Sequence, residues 1–369
     1  MTNRQPERNG GDRGGRGRTA PSAPIPTVPA AMEPLQSQLA DIAGEALEPA
    51  AHQELVSLAD GERVEGCYAV RERSRRPTKR GGEWLSLRIA DRTATVPAKS
   101  WDEIDARFAI AEPGTVVHLV GRFERNPKWG DALIIEAIAP AGAGDYEPAH
   151  LLETSPIPLE RMQADLADLI GTIQNDDLRE LLGRLIAPGG ELWERFRDAP
   201  AAKHFHQAYR HGLLEHTLSV AQGVSAAAPL FGGIDRDVAV SGALLHDIGK
   251  LEAYNDNPLA IDMTDLGRLI GEIPLGYYRV RREIESIEGF DADLARAVLH
   301  IILSHHGTLE HGSPVTPATR EATLVHMMDN LGGKLGSFDR IERTLAEGQT
   351  WSGFDRGIDG PAYFRGRAA

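Results

Sequence analysis

The apolar residues of this chain change period once, and that change constrains the architecture more than any single motif. Between about residues 58 and 140, short runs rich in Val, Leu, Ile and aromatics are separated by Gly, Pro and charged turns, the pattern of strands. From Leu159 onward apolar residues recur every three or four positions, the pattern of helices buried on one face, with helices expected at Leu159–Ile173, Asp177–Ile186, Ala208–Ala227, Ile234–Asp247, Met263–Gly271, Tyr278–Ile287, Ala292–His305 and Pro317–Gly332. A Gly/Ala/Pro-rich stretch over 141–157 separates the two regimes and reads as a linker. With 369 residues, the chain is long enough for two cores, so a multidomain protein is expected: an all-β domain over 58–140, an all-α domain over 158–348 and a C-terminal tail over 349–369.

Five strands are expected, at Arg63–Arg71, Glu83–Asp91, Thr93–Ser100, Thr115–Glu124 and Asp131–Ala137, with a short helix near Trp101–Phe108. That spacing fits a small Greek-key barrel of the OB type, whose curved face and loops bind oligonucleotides. Arg71, Arg73, Arg75, Arg76, Lys79 and Arg80 form a basic strip in the first hairpin, where a loop can follow a phosphate backbone. Trp84, Trp101 and Trp129 either stack on bases or pack in the barrel core.

The formal net charge of −14 argues against coating nucleic acid over the whole surface, so the strip implies selective binding of a polyanion. Residues 1–57 form an Arg/Gly/Pro-rich tail and lead-in, with too little apolar content in 1–30 to bury a core; Asn9–Arg18 is either a short nucleic-acid-binding tail or a plain solvated one. The single cysteine, Cys67, reads as a small buried residue in a reducing compartment. No apolar run approaches the ~20 residues that cross a bilayer, and the N-terminal segment lacks an apolar signal core, so a cytoplasmic protein with no membrane partner is expected.

The helical half carries ionisable residues where apolar ones belong. His216 lies three residues after Leu213 and four before Val220; Asp247 follows Val240, Ala243 and Leu244; His305 continues the stripe of Leu294, Val298, Ile301 and Ile302; Asp329 follows Ala322 and Val325. Four ionisable groups on four helices should therefore face one interior. Burying them unpaired would cost several kcal/mol each, which argues for metal. Carboxylate with imidazole suits Mn²⁺, Co²⁺, Fe, Mg²⁺ or Zn²⁺. With Asp247 as a bridge, His216, His246 and Asp329 complete one site, and His305 with His306 supply a second. Two such ions activate water and stabilise the leaving oxygen of a phosphoryl displacement. Lys250, three residues past Asp247, either meets a scissile phosphate or is a solvated helix-end lysine. His206, just before the first ligand helix, is a candidate substrate contact.

His216, His246-Asp247 and Asp329 follow the H…HD…D pattern of the HD phosphohydrolase superfamily. Further motifs are Ala208–Ser219, Leu245–Lys250, Ile301–Gly307 and Gly312–Val315; with them the chain resembles the YhaM-type 3′–5′ exoribonucleases, which carry an OB domain before the HD domain. The resemblance covers about residues 58–345. It implies removal of nucleotides from the 3′ end of single-stranded RNA, and of ssDNA as a second substrate, supported by Mn²⁺ or Co²⁺, and it allows a homo-oligomer. Related chains usually have Gly-His-Ile after the HD segment; here it reads Gly271-Glu272-Ile273, so the resemblance puts Glu272 in the place of a ligand. Gln207 likewise stands where a second His often follows His206. Two other functions are compatible: a nucleotide or cyclic-dinucleotide phosphohydrolase, which has no need of the barrel, and a non-catalytic RNA-binding protein.

Overall fold

The computed structural model describes residues 52–79, 81–126, 130–203, 207–345 and 348–365. The N-terminal tail, Arg80, Trp129 and His206 lie outside the described residues. Five strands, β1 (Arg63–Pro77), β2 (Glu83–Ala90), β3 (Thr95–Ser100), β4 (Val116–Glu124) and β5 (Ala132–Pro140), close into a barrel in the order β1-β2-β3-β5-β4. All ladders are antiparallel except β3 with β5. This is the five-stranded Greek-key topology expected from the strand spacing. Leu85, Leu87 and Ile89 alternate into a core shared with Tyr68, Val117, Leu119 and Leu133, and helix α1 (Ile104–Ile110) lies between β3 and β4 in sequence. Its buried Arg107 donates to Ser100 Oγ and to the carbonyls of Ile135 and Glu136 at 2.8, 3.1 and 2.9 Å, so the cation is hydrogen-bonded where it is buried.

Strand β1 runs six residues further than the sequence indicated. It pairs with β4 over Arg63–Ala69 and then with β2 over Ala69–Pro77, and the register slips between Val70 and Glu72, leaving Arg71 as an extra residue. Most of the basic strip is therefore strand, not hairpin loop, because a bulge lets one strand serve two neighbours.

The helical region comprises α2 (Leu159–Gly171), α3 (Asp176–Leu185), α4 (Trp193–Asp198), α5 (Gly212–Ala227), α6 (Arg236–Leu245), α7 (Lys250–Ala253), α8 (Asp265–Leu269), α9 (Glu272–Ser286), α10 (Ala292–Ser304) and α11 (Arg320–Thr344). Side chains of Asn175, Asp235, Thr264, Asp291 and Thr319 accept from first-turn amides of α3, α6, α8, α10 and α11, which sets where these helices start. Helix α6 is buried along nearly its whole length and packs against α5, α10 and α11. Gly242 permits this: a Cβ there would lie 2.3 Å from Ile301 Cδ1 and 2.9 Å from its Cγ2.

The largest departures from the expected bounds lie in the helical half and the tail. Helix α5 starts at Gly212 rather than Ala208, because Arg210 bridges the extended Thr154 and His211 takes a positive φ of 68°. Helix α9 begins at Glu272 rather than Tyr278, since Pro274 is accommodated in a first turn. Helix α11 continues through Gly332-Gly333 to Thr344. The expected tail holds a hairpin, β6 (Trp351–Asp355) with β7 (Gly360–Tyr363), clipped to α11 by an Arg340–Asp355 ion pair of 2.8 Å and a Phe338–Phe364 ring contact. Among the described residues, no helix is long and apolar enough to cross a membrane.

Substituting Gly242→Val should destabilise the protein by about 1–3 kcal/mol through overpacking at the α6–α10 crossing. Urea unfolding checks this; an unchanged midpoint would show that Ile301 yields without cost.

Candidate functional site

The four helices carrying the ionisable stripes converge. His216 comes from the buried face of α5, His246-Asp247 from the turn after α6, His305 from the end of α10 and Asp329 from the middle of α11. His216 Nε2 lies 3.3 Å from Asp247 Oδ2 and 3.1 Å from Asp329 Oδ1. His246 Nε2 lies 3.2 and 3.7 Å from the same two oxygens and 3.3 Å from His216 Nε2. One ligand atom each from His216, His246 and Asp329 falls within 4.8 Å of the others, a spacing that one cation can span. On the other side of Asp247, Oδ1 faces His305 Nε2 at 3.5 Å, and His306 Nε2 faces Glu272 Oε1 at 3.4 Å.

Backbone carbonyls aim the rings. The Nδ1 atoms of His246, His305 and His306 sit 2.7, 2.8 and 2.9 Å from the carbonyls of Ala243, Ile302 and His311. A carbonyl only accepts, so Nδ1 carries the proton and Nε2 presents its lone pair inward in the neutral ring, the arrangement of a metal-ligating histidine. His305 Nε2 and Asp247 Oδ1 are both buried and both lack a hydrogen-bond partner. Two acceptors facing each other in the interior repel unless a cation lies between them. The donor set therefore fits a divalent metal.

Without metal, protons occupy that role. Burial disfavours the imidazolium of His246, but Asp247 and Asp329 overcome it and carry the group up to about 10. His216 is raised against the same burial by hydrogen bonds to the same two carboxylates. Burial works against ionised Asp247 and Asp329 too, yet the facing cations and imidazoles hold both well below the usual carboxylate range. Burial lowers His306, and the neighbouring His305 lowers it further.

Lys250 is not a solvated helix-end lysine: its Nζ donates to Asp247 Oδ2 at 2.7 Å, and its ammonium is held above its ordinary value, against burial, chiefly by Asp247 and then Glu272. Gly249 brings Glu272 this close, since a Cβ there would lie 2.0 Å from the Glu272 carbonyl oxygen. Gln207 donates to Glu215 at 3.2 Å rather than entering the cluster. His326 also adjoins the centre: its Nδ1 lies 2.7 Å from the carbonyl of His305, at a place where Gly307 leaves room for the ring. A cavity of about 350 Å³ lined by His305, His306, His311, His326, Asp329 and Asn330 opens this centre to solvent.

On the barrel the basic strip divides. Arg71 donates to the Pro258 carbonyl of the helical region at 3.2 Å and does not join a free loop. Arg73 and Arg75 sit 4.3 and 4.6 Å from the Phe108 ring centroid, with Arg75 also 2.7 Å from Asp105, so both secure α1. Arg76 and Lys79 are exposed. Trp84 stacks on the exposed Trp101 at 6.1 Å and 24°.

Residues 213–333 match the HD domain family, so the helical region carries an HD domain. The chain as a whole is similar to the 3′-5′ exoribonuclease YhaM of Bacillus licheniformis, 29% identical over 290 residues that cover 78% of this chain and 90% of that protein. It is 28% identical to YhaM of Bacillus subtilis over 292 residues, with the same coverage of each. The resemblance read from the motifs is thus shown. The chain also matches the second OB-fold domain of replication protein A from Methanococcus maripaludis at 17% identity, over 24% of this chain and 92% of that one, with a TM-score of 0.20, too partial a superposition to add to the strand order.

A protonated His246 must release its proton when a metal binds, because its own value of about 10 lies above neutrality. Divalent-metal affinity should therefore rise with pH between 6 and 9. Calorimetry in buffers of different ionisation enthalpy should show net proton release; a pH-independent affinity would rule out His246 as a ligand.

Proposed function

We propose that this chain is a metal-dependent 3′–5′ exonuclease that hydrolyses the phosphodiester bonds of single-stranded RNA, with ssDNA as a second substrate. The observation that carries the reading is the buried, unpartnered pair Asp247 Oδ1 and His305 Nε2 at the centre of the histidine–carboxylate cluster. His216, His246, Asp329 and Asp247 Oδ2 would hold one divalent ion, and Asp247 Oδ1, His305, His306 and Glu272 a second. This mixed nitrogen and oxygen set suits Mn²⁺, Co²⁺, Mg²⁺, Fe or Zn²⁺, and among these the resemblance to the YhaM-type nucleases favours Mn²⁺ or Co²⁺. Bound there, such ions supply Lewis-acid polarisation of the phosphoryl group and lower the pKa of water.

The chain's own residues prepare the site. Lys250 holds Asp247 in one orientation. The carbonyls of Ala243, Ile302 and His311 keep three imidazoles facing inward. The cavity of about 350 Å³ beside His305 and Asp329 would receive the strand end. On the barrel, the register places Arg76, Trp84, Ser86, Arg88 and Lys99 along the outer side of β1, β2 and β3, next to exposed Trp101, a face fitted to phosphates and stacked bases. The direction of cleavage and the preference for RNA follow the named activity of the relatives.

A 5′-labelled single-stranded RNA incubated with protein and Mn²⁺ should shorten stepwise from its 3′ end. Internal cuts, or turnover of mononucleotides and cyclic dinucleotides alone, would replace this reading by that of a general phosphohydrolase. Asp247→Ala should lower turnover by about 10³-fold, or about 4 kcal/mol of barrier, and unchanged hydrolysis would overturn the mechanism. Trp84→Ala should raise KM for the strand about tenfold, as expected for the loss of one base stack.

A further inference from the structure

One cation of the basic strip reaches out of the barrel to the helical region. The bulge between Val70 and Glu72 leaves Arg71 outside the β1–β2 ladder, and a bulge re-aims the side chain it carries. Arg71 Nη1 reaches the carbonyl of Pro258, and burial lowers the guanidinium from its ordinary value against the opposing field of Glu153. Beside it, Gly114 donates its amide to the Val70 carbonyl at 2.8 Å and has a φ of +87°. A Cβ on Gly114 would lie 2.0 Å from Asn257 Nδ2, so the barrel and the segment 254–263 meet backbone against side chain. Leu259 of that segment packs against Cys67, Val116 and Leu151.

The segment is hydrogen-bonded within itself and continues from the turn that carries Asp247. Tyr254 bridges Met263, Asn255 N donates to Asp262 O at 2.9 Å, and the Asn255 side chain bonds both the Ala260 carbonyl and the Asp262 amide. It leaves directly from α7, whose first residue, Lys250, holds Asp247. Its far end is tied by Asp262 to Lys203 at 3.0 Å and to Arg268 at 2.9 Å.

We infer that residues 254–263 form a strut between barrel and metal centre, with Arg71 as its positioning residue, and that the strut fixes the span a strand must cover to occupy both at once. This rests on the nuclease reading. Two sites held at a set separation act on a substrate that reaches both as one bivalent site, and give nothing to a substrate too short to do so. The enzyme is thereby selective for strands over dinucleotides, through geometry and not through contacts at the cleaved bond.

The test compares a 20-nucleotide single-stranded RNA with a ribodinucleotide, on full-length wild type, Arg71→Ala and Leu259→Ser. Both variants should raise KM for the 20-mer about tenfold, with kcat on the dinucleotide unchanged. An unchanged 20-mer KM, or a parallel fall on both substrates, would overturn the inference. A second readout needs no activity. With a dye pair at introduced cysteines replacing the exposed Glu65 and Arg296, energy transfer should report a narrow distance distribution in wild type and a broader one in Arg71→Ala. A distribution equally narrow in both would also overturn it. If wild type leaves RNA uncut while the distribution still broadens, the nuclease reading fails and the strut stands.

Discussion

A carboxylate buried to 3% exposure, Asp247, organises the helical domain. Everything that could repay its desolvation has been brought to it: imidazoles from α5, α10 and its own turn, and the ammonium of Lys250 from the turn that follows. Even so, one of its oxygens faces a histidine nitrogen with no proton or donor between them. Interior acceptors left in that state cost about 1–3 kcal/mol each, so the fold holds a deficit that only a cation removes. The fit of this centre to a divalent cation is a consequence of how the helices pack.

The glycines show what the packing required. Gly242 lets α6 lie against Ile301, and Gly249 lets the turn after His246-Asp247 touch the start of α9. The first closes the helical layer behind the histidines, and the second delivers Glu272 to His306 and to the field of Lys250. A glycine pattern in sequence does not say which backbone it accommodates, which is why neither approach was visible before the fold.

What could be read in advance was set by helical phase. His216, Asp247, His305 and Asp329 interrupt apolar stripes, and a stripe has only one side to bury, so their convergence followed from spacing. The barrel was legible for the same reason, since alternation on β2 separates Leu85, Leu87 and Ile89 from Trp84, Ser86 and Arg88. Arg71 was not, because a single bulge reverses the alternation and no side-chain pattern announces it. The carbonyls that aim the imidazoles, and the ring of His326 against Gly307, escape any reading by residue type, since backbone geometry alone creates them.

The hairpin clipped to α11 gains meaning from the length of that helix. Asp329 lies in the first half of α11, and Arg340 and Phe338, near its far end, are held by Asp355 and Phe364. A helix advances about 100° per residue, so a slip of one position would swing a carboxylate off its imidazoles. A clamp at the distal end resists twist along the whole rod, as a key held at the bow fixes the angle of its bit. The β6–β7 hairpin thus keeps the torsional setting of a carboxylate in the histidine cluster.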